Sequence, residues 1–96
     1  MENINKTNSY YADYNVSFID EERESIQLRV DGYLCLAAVK DDIDTQVRVL
    51  MKKININKAR IILDIVINDP NGEYVDHDVA EVMYDNEKIT FLDCGV

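Results

Sequence analysis

Apolar positions along this chain repeat with two different periods. From Tyr14 to Ile19 (YNVSFI), Tyr14, Val16 and Phe18 alternate with polar residues, the period of two that marks a half-buried strand. Residues 20–24 (DEERE) then form a charged turn. Ser25–Val30 (SIQLRV) alternates again, with Ile26, Leu28 and Val30 on one face and Ser25, Gln27 and Arg29 on the other. Asp31-Gly32 is the pair that a tight type I′ hairpin turn prefers, because both of its central positions take positive φ. Tyr33–Val39 (YLCLAAV) is therefore predicted to return as a third, more buried strand.

The period lengthens after Asp42. Ile43, Val47, Leu50, Met51 and Ile54 fall at i, i+4, i+7, i+8 and i+11, one stripe of a helix. Asp41, Asp42 and Asp44 open this segment and Lys52 and Lys53 close it, the polarity that a helix dipole favours, and Asn55 or Asn57 can end it. A competing strand reading rests on Val47, Val49 and Met51 in alternation. Arg60–Ile67 is β-branched and reads as a central strand. Asn68–Gly72 (NDPNG) is a turn by composition. Val75, Val79, Val82 and Met83 again have helical spacing, with Asp76 or Asp78 as the N-cap. Asp85–Glu87 is a turn, and Lys88–Asp93 (KITFLD) a last strand. The predicted order is β-β-β-α-β-α-β: an α+β fold with a mostly antiparallel sheet of four or five strands and two helices on one face. Residues 1–12 are expected to be a polar N-terminal arm and residues 13–96 a single domain.

Size and charge narrow the function. Ninety-six residues form one domain that buries roughly 60–65% of its unfolded surface. The N-terminal MENINKTNSYYADY lacks the apolar run of a signal peptide, and Ile61–Ile67 is far shorter than the ~20 residues that span a bilayer. A cytoplasmic protein is expected (the host cytoplasm, if the chain is phage-encoded), with Cys35 and Cys94 as buried free thiols. The net charge of −9 is unevenly spread. Arg48–Arg60 carries five cations (Arg48, Lys52, Lys53, Lys58, Arg60) and no acid, between two strongly acidic flanks. Such a domain repels nucleic acid and anionic membranes and attracts basic protein surfaces. The cationic run contains no aromatic residue on which a base could stack. A helix C-terminus followed by a strand start accounts for it, and an internal acidic–basic contact or a self-association patch, the latter implying a homodimer, is the functional alternative.

Candidate chemistry is sparse. Asp76-His77-Asp78 holds the only histidine. Adjacent residues do not converge on a cation from either a strand or a helix, and neither cysteine sits at ligand spacing, so no metal is expected. The loop NDPNG fails as a calcium loop, because counting back from Gly72 puts Ile67 at the first ligand position. No phosphate-cradling glycine loop exists, since the glycines stand alone at 32, 72 and 95. No serine or cysteine adjoins His77 in sequence, so neither catalysis nor a cofactor is expected. Tyrosines beside carboxylates are the sharper signal, because a rigid ring with a polar tip suits protein interfaces. The residues expected to meet a partner are Asp20, Glu21, Glu22 and Glu24 in the first turn, and Tyr74, Asp76, Asp78, Glu81, Tyr84 and Asp85 around the second predicted helix.

The succession Ser25–Leu36, helix, ARIILDIV, YVDHDVAEVM and KITFLD resembles the layout of STAS domains, small phospho-switch or anchoring modules. That family's Asp-Ser-Ser-Gly turn corresponds here to Asp76-His77-Asp78-Val79, which lacks the serine. The resemblance implies a regulatory module with a protein partner. Size and charge favour another reading: a small acidic, non-enzymatic inhibitor that blocks the basic groove of a nucleic-acid-handling enzyme, as anti-CRISPR and DNA-mimic proteins of phages do. An immunity protein that neutralises a basic toxin has the same profile.

Overall fold

A computed structural model describes residues 9–92. Strands β1 (Tyr10–Phe18) and β2 (Ile26–Tyr33) are followed by helices α1 (Leu36–Asp41) and α2 (Ile43–Lys53). Strands β3 (Lys58–Asn68), β4 (Tyr74–Asp85) and β5 (Lys88–Leu92) complete the order. The five strands form one sheet in the order β2-β1-β3-β4-β5, antiparallel throughout. The α+β class and the helices on one face are as the sequence predicts.

Alternation places the core. Ala12, Tyr14, Val16 and Phe18 of β1 and Ala59, Ile61, Leu63, Ile65 and Ile67 of β3 are buried on one face of the sheet. The central strand β3 sets Leu63 beside Val16 on one side and Ile61 beside Val82 on the other. Ile43, Val47, Leu50 and Met51, the stripe that the sequence predicts, cover this face from α2, and Val39 does so from α1. Asn55, at φ 63°, ends α2 in the left-handed conformation that asparagine tolerates.

Two segments depart from expectation. Residues 36–41 are helical, so Tyr33–Val39 is not a strand. Gly32 (φ 89°) does not make a hairpin turn. It lies in an irregularity where β2 slips against β1, between the pairs Tyr10–Tyr33 and Ala12–Val30. The partner of β2 is β1, across the acidic turn, and Ala37 and Ala38 favour the helix that follows. The second predicted helix is instead the twelve-residue strand β4. Its valines suit both periods. Pairing with β3 from Lys58–Asp85 to Asn68–Tyr74 satisfies backbone groups that an isolated helix would leave β3 without. The observed order is thus β-β-α-α-β-β-β.

Smaller corrections follow. Residues 10–12 of the expected arm belong to β1, Ser9 accepts a hydrogen bond from the Gly32 backbone N–H, and residues 1–8 lie outside the described residues. Cys35 is a free thiol but exposed rather than buried, while Cys94 lies outside the described residues. The likeness to STAS layout fails, since 76–79 lie inside an antiparallel strand rather than at a turn. Both expected turns are present. Asp69 Oδ1 accepts hydrogen bonds from the backbone N–H groups of Asn71 (2.8 Å) and Glu73 (3.0 Å). Asn86 and Glu87 take φ 48° and 74° between β4 and β5.

Candidate functional site

Because strand residues alternate, the polar positions of β1, β3 and β4 collect on the side of the sheet away from the helices. This open face carries Asp13 and Asn15 of β1, Arg60, Ile62, Asp64 and Val66 of β3, and His77, Val79, Glu81 and Met83 of β4. Ile62 and Val79 are 39% and 57% exposed. Val66 and Met83 are half-buried beside them. The apolar positions thus run through the middle of the two strands that carry the deepest core on their other side.

Ion pairs interleave with this apolar line, since the register sets Glu81 opposite Ile62, Asp64 opposite Val79 and His77 opposite Val66. Arg29 of β2 grips Asp13 with two hydrogen bonds, Nε at 2.6 Å and Nη2 at 3.1 Å, and its guanidinium lies 4.4 Å from the centre of the Tyr11 ring. Arg60 Nη2 pairs with Glu81, and its Nη1 lies 3.9 Å from Asp20 in the first turn. His77 Nε2 meets Asp64 Oδ1 at 2.6 Å. A shallow depression of about 560 Å³ lies between these groups, lined by Asp13, Asn15, Gln27, Arg29, Asp64 and Val66 among others. An imidazole held by a carboxylate is the base-and-orienter half of a nucleophilic site. Among the described residues no hydroxyl or thiol hydrogen-bonds to His77, so the pair supplies charge and hydrogen-bonding capacity to the face. Among the described residues no three His, Cys, Asp or Glu side chains are grouped to hold a metal ion.

The residues singled out from sequence do not form one surface. Asp20, Glu21, Glu22 and Glu24 lie in the exposed turn between β1 and β2. Glu21 is 3.3 Å from Arg23, while Glu22 and Glu24 have no ion-pair partner among the described residues. Asp76 and Asp78 sit on the helix side of β4, where Lys40 of α1 bridges them at 3.0 and 2.6 Å. The Lys40 ammonium, helped by the His77 backbone N–H, holds the Asp76 carboxyl below the usual carboxylate range. Glu81 is on the open face. Tyr74 is 65% exposed at the start of β4, and Asp85 ends that strand. Tyr84 is 2% exposed and packed in the core, so it offers a partner no ring face.

Sequence reading missed Ile62, Val79 and Met83 as one apolar patch, and His77 as the partner of Asp64. The signal was present in Arg60-Ile61-Ile62-Leu63-Asp64, whose alternate residues are charged or buried. The helical reading of 75–83 hid the other half. Among the described residues no helix is long and apolar enough to cross a membrane. No family model matches the chain, and no curated protein or solved structure matches it.

Proposed function

We propose that this chain is a non-enzymatic protein-binding module of the inhibitor type, which docks its open sheet face on a basic protein. The observation that carries this reading is the uncovered apolar line of Ile62, Val66, Val79 and Met83 across the open face, interleaved with the Arg60–Glu81 and Asp64–His77 ion pairs and flanked by Arg29–Asp13. Apolar area mixed with charged groups is the ordinary composition of a non-obligate interface. Its size also fits. Five strands at about 4.8 Å and nine residues at about 3.3 Å give a face of roughly 700 Å², close to one side of a standard interface.

The charge indicates the kind of partner. The chain carries −9 overall, and among the described residues Glu22 and Glu24 have no ion-pair partner in the turn next to Asp20 and Arg60. Such charge steers a basic surface toward the sheet and accelerates encounter more than it tightens the complex. The carboxylates of β4 contribute less, because Lys40, shared by Asp76 and Asp78, and Arg60, paired with Glu81, already offset part of their charge. A groove that binds nucleic acid is the kind of partner surface that this combination fits.

Paired capture experiments test the reading. The wild-type chain and an Ile62→Lys/Val79→Lys variant are immobilised, exposed to the same bacterial lysate and eluted with rising salt. Both substitutions lie at exposed positions, so the fold is expected to survive. Wild type is expected to retain a basic nucleic-acid-handling protein, and the variant at least about tenfold less of it. Equal retention by both baits would contradict the open face as the docking surface.

A further inference from the structure

Strand β2 lies at one edge of the sheet, and its regular part, Ile26–Val30, ends where Asp31 and Gly32 slip against β1. An edge strand presents a row of unpaired N–H and C=O groups. The usual protections are lysine, proline and a bulge within the strand. Ile26–Val30 (IQLRV) contains neither residue type, and the irregularity lies beyond it. On the helix side, β2 borders an apolar groove of about 280 Å³, lined by Ile26, Leu28, Val49, Leu50 and Ile54 with Gln46 and Lys53 at its margin. Val49 is 53% exposed there.

We propose that a second copy of this chain fills this edge, pairing β2 with β2 antiparallel about a two-fold axis at Leu28 to give one ten-stranded sheet. The register follows from the pleat. Both copies must keep their helices on the same side, so paired residue numbers must sum to an even value and the axis must pass through a residue. An axis at Arg29 would set two guanidinium groups side by side, which like-charge repulsion disfavours. An axis at Gln27 would bring Glu24 opposite Val30 and leave only three residues of β2 in register. At Leu28, Ile26 meets Val30 of the second copy, Gln27 meets Arg29, and all five residues pair.

Charge on α2 makes the contact self-complementary. Tyr33, at the end of β2, donates a hydrogen bond to Asp42 at the start of α2, while Lys53 and Ile54 lie along the groove with Ile26 and Leu28. The helix therefore runs antiparallel to β2, with the stripe Asp42, Gln46, Val49, Lys53 along the edge. The two-fold axis turns the Lys53 end of each helix toward the acidic start of the other. Asp42 and Lys53, which share that stripe, have no ion-pair partner among the described residues, Asp42 accepting only from Tyr33 and Gln46, so each is available to the second copy. This also gives a role to part of the cationic run in residues 48–60. The contact is small, a strand edge about 17 Å long plus one helix stripe. It falls below the area of stable interfaces, so the dimer is weak and depends on concentration.

Two measurements test the pairing. In sedimentation velocity from roughly 10 µM to roughly 1 mM, the apparent mass of wild type is expected to rise toward twice the monomer value. Val49→Lys, a substitution at an exposed position, is expected to stay monomeric. In a Cys35→Ser/Cys94→Ser background, Leu28→Cys is expected to oxidise to a covalent dimer, because residues facing themselves across an antiparallel pair come within disulfide distance. Gln27→Cys, two positions out of register with itself and with Arg29 left in place, is expected to remain mostly monomeric. A monomer at every concentration, or cross-linking at residue 27 in preference to 28, would overturn the proposal.

Discussion

Leu63→Ala is expected to lower the stability of this domain by about 3–4 kcal/mol, enough to leave a large fraction unfolded at 37 °C. Leu63 is 1% exposed, at the middle of the central strand, with Val16 and Ala80 beside it on neighbouring strands. Truncation removes three carbons from a site enclosed by two strands and the helix layer, so the cavity cannot collapse readily. A chain of this length has one core and few other contacts to offset the loss. The adjacent Ile62→Ala, on the open face, is expected to cost under about 1 kcal/mol. Urea denaturation of the two variants reads the difference directly. Similar midpoints would mean that β3 does not separate a buried face from an open one.

The second large effect is alkaline. Tyr14 and Tyr33 are 2% and 8% exposed. Burial raises the pKa of both hydroxyls, and at Tyr33 the hydrogen bond to the Asp42 carboxylate raises it further. The unfolded chain releases these protons near pH 10, while the folded chain keeps them. Their contribution to stability is therefore fully present below pH 10 and is lost as pH rises above it. Two tyrosines could give about 2.7 kcal/mol per pH unit. Since Tyr33 sits near the rim, about 2 kcal/mol per unit is expected. Thermal unfolding between pH 9 and 11.5 measures this, and each Tyr→Phe variant should roughly halve the slope. The two variants differ at neutral pH. Tyr33→Phe deprives Asp42 of a donor and should cost about 1–2 kcal/mol. The buried Tyr14 hydroxyl has only the Tyr33 hydroxyl beside it, which already donates to Asp42, and it makes no hydrogen bond of ordinary geometry among the described residues, so Tyr14→Phe should be neutral or slightly stabilising. A flat alkaline limb would contradict the burial of both hydroxyls.

How far the fold can be read from the chain depends on where local pattern and tertiary pairing agree. They agree at α2, where Leu50 breaks the alternation that Ile43, Val47 and Met51 would keep in a strand, and Lys52, Lys53 and Asn55 mark the end. They agree at β3, whose length and β-branching suit a central strand. They conflict at β4. Val75, Val79 and Val82 satisfy a helical stripe, while Asp76, Asp78, Ala80, Val82 and Tyr84 satisfy the sheet. The long ladder with β3 decides between them, and no local window contains that partner. Tyr33–Val39 failed for the opposite reason: Asp31-Gly32 has hairpin composition but serves a slip in the β2 edge.

The candidate site inherited the same conflict. Reading 75–83 as a helix put Asp76 and Asp78 with Tyr74, Glu81, Tyr84 and Asp85 around one element and left His77 without a partner. The strand divides them, sending His77 to Asp64 on the open face and both carboxylates to Lys40 on the helix side. The acidic turn at Asp20–Glu24 needed no long-range information and is exposed as its composition suggests. The apolar patch of Ile62, Val79 and Met83 required the β3–β4 register, which sequence spacing does not supply.

Methyl-labelled NMR of the chain with the basic protein that it captures tests the central claim most directly. The methyl signals of Ile62, Val66, Val79 and Met83 are expected to shift or broaden on titration, while those of Val39 and Val47 beneath the helices hold their positions. Perturbation confined to Val49 and the other helix-layer methyls, with the four open-face residues unchanged, would contradict docking through the open sheet face.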